Sequence, residues 1–106
     1  MDYDAIRRCL PGCRFTDHAR REMEAEPLGR ILTDEILAAL DSGEIIEEYA
    51  DDVPYPSCLV LGHTQTGRAL HVVCAPVTEE TRLIIITAYQ PDPSRWEPDF
   101  RRRKTR

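Results

Sequence analysis

The hydrophobic positions in the first 43 residues recur at helical spacing and predict two helices. The first follows Thr16, whose hydroxyl can cap a helix start, and it carries a narrow apolar stripe of Ala19 and Met23. The second follows Thr33 in the same way, and Gly43 ends it. Its apolar face is formed by Ile36, Leu37 and Leu40.

The pattern changes at Glu44, where apolar positions begin to recur at the shorter spacing of β-strands. Four strands are predicted, over residues 44–49, 57–63, 68–75 and 82–89. Residues 64–67 have the length and composition of a hairpin turn, whereas the acidic and proline-rich residues 51–56 are typical of a longer loop. The strands therefore follow one another as an antiparallel meander.

The end of the chain is predicted to form a short C-terminal helix. Pro91 and Pro93 stop the last strand, and Ser94 offers a cap for a helix that includes Trp96 and Phe100. Two helices followed by about four antiparallel strands define an α+β fold. The chain has 106 residues, the length of a single domain, so we expect one domain over residues 1–106.

Strand alternation places several polar groups near one end of the predicted sheet. If Pro76 pairs with Arg82, then His71 lies opposite Thr87, with Tyr89 close by on the same face. This grouping would bring an imidazole, a hydroxyl and a phenol together. His71 has a second interpretation, as a core histidine that donates to a backbone carbonyl. The face that carries Thr87 is expected to carry Leu83, Ile85 and Tyr89 as well.

A second polar group lies on the first predicted helix. His18, Arg21 and Glu22 stand at positions i, i+3 and i+4, so their side chains project from one side of the helix. This side borders the apolar stripe of the same helix. Either the three residues take part in chemistry, or Glu22 simply forms surface ion pairs with its neighbours.

Charge is divided unevenly along the chain, although the net formal charge is −5. The first 56 residues hold 14 Asp and Glu against 6 Arg, whereas the remainder holds 5 acids against 8 bases. A local basic segment can attract polyanions even when the whole protein is acidic. The tail is such a segment, with Arg101, Arg102, Arg103, Lys104 and Arg106.

The cysteines do not form the pattern of a disulfide scaffold or of a zinc site. Cys58 and Cys74 lie in apolar strand segments and are interpreted as reduced core residues. Cys9, Cys13 and His18 are spaced more widely than usual zinc ligands, so no metal ion is expected. The N-terminus has no apolar signal segment and the chain has no long apolar stretch, which favours a cytoplasmic protein.

The chain lacks the motifs of nucleotide-cofactor enzymes, serine hydrolases and zinc proteases: it has no G-x-G-x-x-G, P-loop, G-x-S-x-G or H-E-x-x-H. No cofactor is therefore expected. Metal-independent acid–base chemistry on a phosphodiester remains open, because it needs only a base, a proton donor and an arginine.

Several segments in order resemble the bacterial domain-of-unknown-function family 4258. The resemblance extends from about residue 15 to residue 103. Its segments are FTDHARREM at 15–23, SGEII at 42–46, PSCLVLG at 56–62, RALHVV at 68–73, ITAYQPD at 86–92 and the single Trp96.

The resemblance implies a fold, an activity and a partner. The family is similar in layout to small RelE-like and BrnT-like toxins, which pack N-terminal helices on a curved antiparallel sheet and cleave RNA without a metal ion. The implied function is a toxin-like endoribonuclease of a toxin–antitoxin pair. Its implied partners are an antitoxin protein, for example of the YgiT zinc-finger type, and RNA or the ribosome.

The family motifs also imply a catalytic set. His71 or His18 would take the proton of a 2′-hydroxyl, and Tyr89 or the second histidine would protonate the leaving oxygen, which yields a 2′,3′-cyclic phosphate. Arg21 and Arg103 would stabilise charge on the phosphate, with Thr87 nearby. Candidate phosphate-binding residues are Arg68, Arg101, Arg102 and Arg103.

Two other classes of function remain open. In the first, the chain is a non-catalytic binding module that engages a small partner protein, and the acidic first half would suit a basic segment of that partner. In the second, it is an enzyme acting on a small molecule.

Overall fold

The computed structural model describes residues 1–105 and confirms the α+β class. Five strands form one mixed sheet in the order β1-β5-β4-β3-β2, in which β1 runs parallel to β5 and the other neighbours are antiparallel. The helices are α1 (Tyr3–Cys9), α2 (Asp17–Ala25) and α3 (Thr33–Asp41). The strands are β1 (Cys13–Phe15), β2 (Glu44–Tyr49), β3 (Ser57–His63), β4 (Ala69–Val77) and β5 (Arg82–Tyr89).

Two elements at the N-terminus were not predicted from the sequence. Helix α1 has only seven residues, and the Asp2 carboxylate caps it by accepting from the Asp4 amide at 3.1 Å. Ile6 and Cys9 are its buried residues, which is too few to produce a clear apolar period. Strand β1 has three residues and is held by pairing with β5. The prediction of about four strands and two helices is therefore corrected to five strands and three helices.

The predicted C-terminal helix is wrong, because residues 91–104 fold as turns. Pro98 lies where the helix interior would be, and proline there removes an amide donor and clashes with the preceding turn. Asp92 instead accepts from the Ser94 amide at 2.8 Å. The segment then reverses direction, and the backbones of Trp96 and Arg103 pair as an isolated antiparallel β-bridge. It lies as a strap over one face of the sheet.

One predicted helix cap is confirmed and the other is wrong. The Thr16 hydroxyl accepts from the Ala19 amide at 3.0 Å and caps α2 as expected. Thr33, in contrast, is the first residue of α3, and Leu32 occupies the cap position. The Glu35 carboxylate reaches back to accept from the Leu32 amide at 2.9 Å, which stabilises the start of the helix through a different donor from the one a threonine cap would satisfy.

The main core lies between the helices and one face of the sheet. Gly62 of β3 lets α3 approach closely, because a Cβ at this position would lie 2.1 Å from the Ala39 carbonyl oxygen. The core draws on every helix and on the central strands, and its buried residues include Ile6, Ala19, Met23, Ile36, Leu40, Val60, Leu70, Val72, Leu83, Ile85 and Ala88. Within residues 1–105, no helix is long and apolar enough to cross a membrane.

Candidate active site

The pairing of β4 with β5 brings His71 directly opposite Tyr89. The predicted partner Thr87 lies opposite Val73 instead. Two irregularities account for the difference. The turn pairs Val77 with Arg82, one residue beyond the predicted register, and an extra residue in β5 shifts the register between Val73 and Cys74 once more. Together the two irregularities shift the register by two residues, which leaves the alternation of side chains between the two faces as predicted. His71 and Tyr89 therefore still lie on one face.

The same bulge divides the predicted face of β5. Leu83 and Ile85 belong to the core beneath the helices, and beyond the bulge it is Ala88 that joins this core. Thr87 and Tyr89 therefore do not share a face with Leu83 and Ile85, and the predicted grouping of all four is wrong. The bulge turns Tyr89 toward the face that the C-terminal strap covers.

His71 is held by hydrogen bonds at both ring nitrogens and is 0% exposed. Nε2 lies 2.8 Å from the Phe100 carbonyl oxygen, which can only accept, so Nε2 carries the hydrogen. In the neutral ring Nδ1 then accepts from the Tyr89 hydroxyl at 3.2 Å. His71 thus has the backbone carbonyl partner expected of a core histidine, and it also has a second partner, the Tyr89 hydroxyl.

Trp96 of the strap packs on His71 and closes it off from solvent. The two rings meet edge to face with centroids 4.4 Å apart, and Trp96 is 3% exposed. The guanidinium of Arg103 lies over the Trp96 ring, at 4.6 Å from the ring centroid. Glu47 of β2 holds Arg103 through two hydrogen bonds of 2.9 and 3.0 Å. The Tyr49 hydroxyl also donates to Glu47, at 2.6 Å.

The electrostatics of this cluster keep both His71 and Tyr89 neutral. Burial lowers the pKa of His71, and this outweighs the hydrogen bond to the Phe100 carbonyl, which favours the protonated ring. Burial likewise raises the pKa of Tyr89. The hydrogen bonds from Arg103 lower the pKa of Glu47, so this carboxylate stays charged. The cluster therefore holds a neutral imidazole whose free lone pair accepts from a phenol.

Tyr89 also lines a cleft of about 330 Å³ between the sheet edge and the strap. Arg95 is exposed in this cleft and, within residues 1–105, forms no ion pair. The sequence analysis did not identify Arg95, because it predicted a helix here and assigned phosphate binding to the arginines of residues 101–103. The cleft is lined by Tyr89, Gln90, Asp92, Arg95, Trp96 and Arg103.

His18 and Arg21 are placed apart from this cluster. Both are exposed on α2, and α2 packs through Ala19 and Met23 against the opposite face of the sheet. The side chain of His18 lies 3.9 Å from Glu22, one helical turn away. The helix thus presents the surface pair that the sequence left open as an alternative, and it brings neither residue to His71.

Arg68 links the segment between α2 and α3 to the sheet through hydrogen bonds. Its side chain is 17% exposed and donates to the Gln90 amide oxygen at 2.7 Å and to the Glu35 carboxylate at 3.3 Å. It also donates to the carbonyl oxygens of Gly29 and Arg30. These contacts engage every nitrogen of the guanidinium, which leaves it poorly placed to hold a phosphate.

We expect Arg68→Gln to lower the free energy of unfolding by about 2 kcal/mol, because it strands the Glu35 carboxylate and two carbonyls without their charged donor. Chemical denaturation of the variant measures this loss. Arg14→Gln is the matched control, since Arg14 is exposed and donates only to the neighbouring Cys13 carbonyl. Equal stability of the two variants would contradict a structural role for Arg68.

The basic tail is folded back on acidic residues. Arg101 pairs with Glu44 at 2.6 Å, Arg102 with Asp99 at 3.1 Å and Arg103 with Glu47 at 2.9 Å. The run is therefore not a free polycationic arm over residues 101–103, although all three arginines keep an exposed surface. Arg106 lies outside the described residues.

The buried neutral His71 predicts a pH dependence of stability. Its pKa lies below the unfolded value, so the unfolded chain binds a proton first as the pH falls. We expect full stability above about pH 6.5, the ordinary histidine pKa, and a progressive loss below it. Urea denaturation between about pH 5 and pH 8 measures the slope.

The control for this prediction is His71→Gln, in which the amide retains hydrogen-bonding capacity but does not titrate in this range. The variant should lose the slope near pH 6 while keeping the steeper loss in stronger acid, where carboxylates such as Glu47 titrate. An unchanged slope near pH 6 would contradict His71 as its source.

No group of three or more His, Cys, Asp or Glu side chains in residues 1–105 is arranged to hold a metal ion. The four cysteines are free. Cys58 and Cys74 are buried opposite each other on β3 and β4, in agreement with their interpretation as core residues.

The fold and the cluster define a small α+β protein in which a buried histidine is hydrogen-bonded to a half-buried tyrosine beside a strap-covered cleft. A family described as a domain of unknown function, DUF4258, matches residues 15–90, and the chain belongs to this family. No curated protein and no solved structure matches the chain. The matched segment includes α2, α3, all of β2 to β5 and the His71–Tyr89 pair, but ends before Arg95.

Proposed function

We propose that the chain is a toxin-like endoribonuclease that cleaves RNA at the Tyr89 cleft without a metal ion. The observation that carries this proposal is the hydrogen bond from the Tyr89 hydroxyl to neutral His71, at the wall of a cleft that also holds two arginines. Acid–base cleavage of RNA requires a proton carrier and a cationic group at the phosphate, and both occur here.

The proposed reaction begins when the RNA 2′-oxygen attacks the adjacent phosphorus. Its proton passes to the Tyr89 oxygen while the Tyr89 proton moves to His71 Nδ1, so the imidazole becomes cationic and keeps its Nε2–H bond to Phe100. The bond from phosphorus to the 5′-oxygen breaks, and that oxygen takes a proton from the solvent. His71 then returns its proton through Tyr89 to the solvent, which restores both residues. The products are a 2′,3′-cyclic phosphate and a 5′-hydroxyl.

The arginines supply charge to the phosphate in this scheme. Arg95 is free of ion pairs among the described residues, and its guanidinium can therefore engage a phosphate directly. Arg103 is fixed by Glu47 and retains donors that Glu47 does not use. In this proposal Tyr89 is catalytic and His71, which is wholly buried, acts through it as a positioning residue.

A toxin role is tested by induced expression in bacteria, with growth and total RNA followed over time. We expect growth arrest and RNA loss with the wild-type chain and neither effect with Tyr89→Phe at equal protein level. Harmless expression of both proteins, or equal arrest by both, would contradict the proposal. Co-expression of a candidate antitoxin, where one is found, should restore growth to the wild-type culture.

A further inference from the structure

A groove on the opposite side of the molecule carries an independent inference. Two adjoining clefts, of about 620 and 480 Å³, share Leu10 and Leu37 as a common wall. One side of both clefts is formed by helix α3. The pair of clefts is called the α3 groove below, and it lies on the helix-bearing side of the sheet, away from Tyr89.

The outer face of α3 has a definite pattern along this groove. Asp34, Leu37, Ala38 and Asp41 line the larger cleft and stand at positions i, i+3, i+4 and i+7, so they form one stripe along the helix. The core of the protein uses other positions of α3, namely Ile36, Ala39 and Leu40. Leu37 and Ala38 are only half-buried, and they form the apolar centre of a stripe with an acid at each end.

The groove has an excess of negative charge where a ligand would meet it. Among residues 1–105, neither the Asp34 nor the Asp41 carboxylate has an ion-pair partner. The larger cleft is lined by these two acids and by Glu35, whose charge is offset by its pair with Arg68, and no basic side chain belongs to this lining. Arg7 lines the smaller cleft, where its Nε donates to the Asp41 carbonyl oxygen at 3.3 Å and its guanidinium lies over the Tyr3 ring.

The smaller cleft continues the apolar surface beyond Leu37. Its lining is mainly apolar and includes Leu10, Pro11, Cys13 and Phe15. A side chain that entered between Leu10 and Leu37 would bury apolar area against both walls. The groove thus offers an apolar slot next to two unpaired carboxylates.

We propose that the α3 groove is the docking site for a basic amphipathic helix of a partner protein. Asp34 and Asp41 are seven residues apart, about 10 Å along the helix axis. A partner helix with the pattern base, apolar, apolar, base at i, i+3, i+4 and i+7 matches this stripe in spacing and in charge. Its apolar pair packs on Leu37, and its bases meet the two carboxylates.

The test is a titration of the full chain, followed by amide chemical shifts, with a synthetic helical peptide. The probe carries Lys, Leu, Leu and Lys at i, i+3, i+4 and i+7 on a neutral background, and its reference peptide carries Glu in place of Lys. We expect shifts confined to α3, residues 64–66 and the segment around Leu10, which form the groove. The Glu peptide should not bind.

Two variants and one control separate specific docking from general attraction to an acidic protein. Asp34→Asn with Asp41→Asn should weaken binding of the Lys peptide about tenfold, and Leu37→Ser should weaken it similarly. The control is Glu24→Gln with Asp51→Asn, which removes two exposed carboxylates elsewhere and should change the affinity less than twofold at physiological salt.

Three results would overturn the proposal. They are no binding at about 1 mM peptide, an equal loss of affinity in the control variant, and shifts that map outside the groove. Self-association of the free chain that Leu37→Ser abolishes would assign the groove to a second copy instead. None of these readouts involves RNA, so the failure of this proposal and the failure of the nuclease proposal are distinguishable.

Discussion

Tyr89→Phe is expected to slow RNA cleavage by about 10²- to 10⁴-fold, the range that a positioned proton carrier contributes. The substitution removes only the hydroxyl oxygen, which is the atom that hydrogen-bonds to His71 Nδ1. The ring that packs edge to face against His71 remains in place. RNA affinity should change little, because the arginines of the cleft are untouched. The rate is measured with purified protein in excess over labelled RNA.

The matched control is Tyr55→Phe, a half-buried tyrosine in the loop between β2 and β3 that lies outside the cleft. It should cleave RNA at the wild-type rate. Tyr89→Phe leaves His71 Nδ1 without its donor, so a stability loss of about 1 kcal/mol is expected, and denaturation curves show whether the protein stays folded during the assay. A folded Tyr89→Phe protein with the wild-type rate would remove Tyr89 from the catalytic role.

Gly62→Ala is expected to lower the free energy of unfolding by about 3 kcal/mol. The new Cβ would lie 2.1 Å from the Ala39 carbonyl oxygen and 2.6 Å from its carbonyl carbon, which are backbone atoms and cannot rotate away. Helix α3 must therefore move off β3, and the buried side chains of Ala39 and Leu40 lose their packing. Thermal and urea denaturation measure the loss.

Gly67→Ala is the comparison for this substitution. Gly67 has a φ of +89° but no atom within 4 Å of an added Cβ, so its cost is backbone strain alone, about 1 kcal/mol. The difference between the two variants isolates the close approach of helix and strand. If Gly62→Ala proved as mild as Gly67→Ala, α3 would be free to shift, and the packing described for the core would be wrong.

The elements that periodicity predicted are those long enough to show a period. Helices α2 and α3 and strands β2 to β5 have six to nine residues each. The buried residues of the two helices recur at helical spacing, whereas β3 was recognisable as a short apolar run, because its first six residues are all buried. Strand β1 has three residues and is defined by its pairing with β5, which a local pattern does not reveal. The C-terminal segment had a suitable cap at Ser94, but Pro98 within the segment is incompatible with a helix interior.

The His71–Tyr89 pair was predicted to share a face for a reason that was only partly correct. The predicted register missed the bulge in β5, and the two single-residue shifts happened to restore the parity. A sequence pattern rarely reveals such a bulge, since Ile86 at that point is as apolar as its neighbours. Arg95 and Trp96 entered the site because the strap folds over the sheet, which is a tertiary contact.

The charge pattern along the chain was a poor guide to the charge distribution of the folded protein. Counting along the chain separates an acidic first half from a basic tail, but Glu44 and Glu47 meet Arg101 and Arg103 across more than 50 residues. The family resemblance also implied one catalytic set that contained both His18 and His71, whereas these residues lie on opposite sides of the sheet. Asp34 and Asp41, on the outer face of α3, are among the acids of residues 1–105 that keep no ion-pair partner.

The most direct measurement of the central claim is product analysis after incubation of the purified chain with RNA in excess chelator. Free RNA and ribosome-bound messenger RNA are both used, because the dependence on the ribosome is open. The nuclease account predicts new 2′,3′-cyclic phosphate ends with the wild-type chain and with Tyr55→Phe, none with Tyr89→Phe, and no cleavage where the attacking 2′-hydroxyl is replaced by hydrogen. Intact RNA in both substrates, or cleavage that the chelator abolishes, would contradict it.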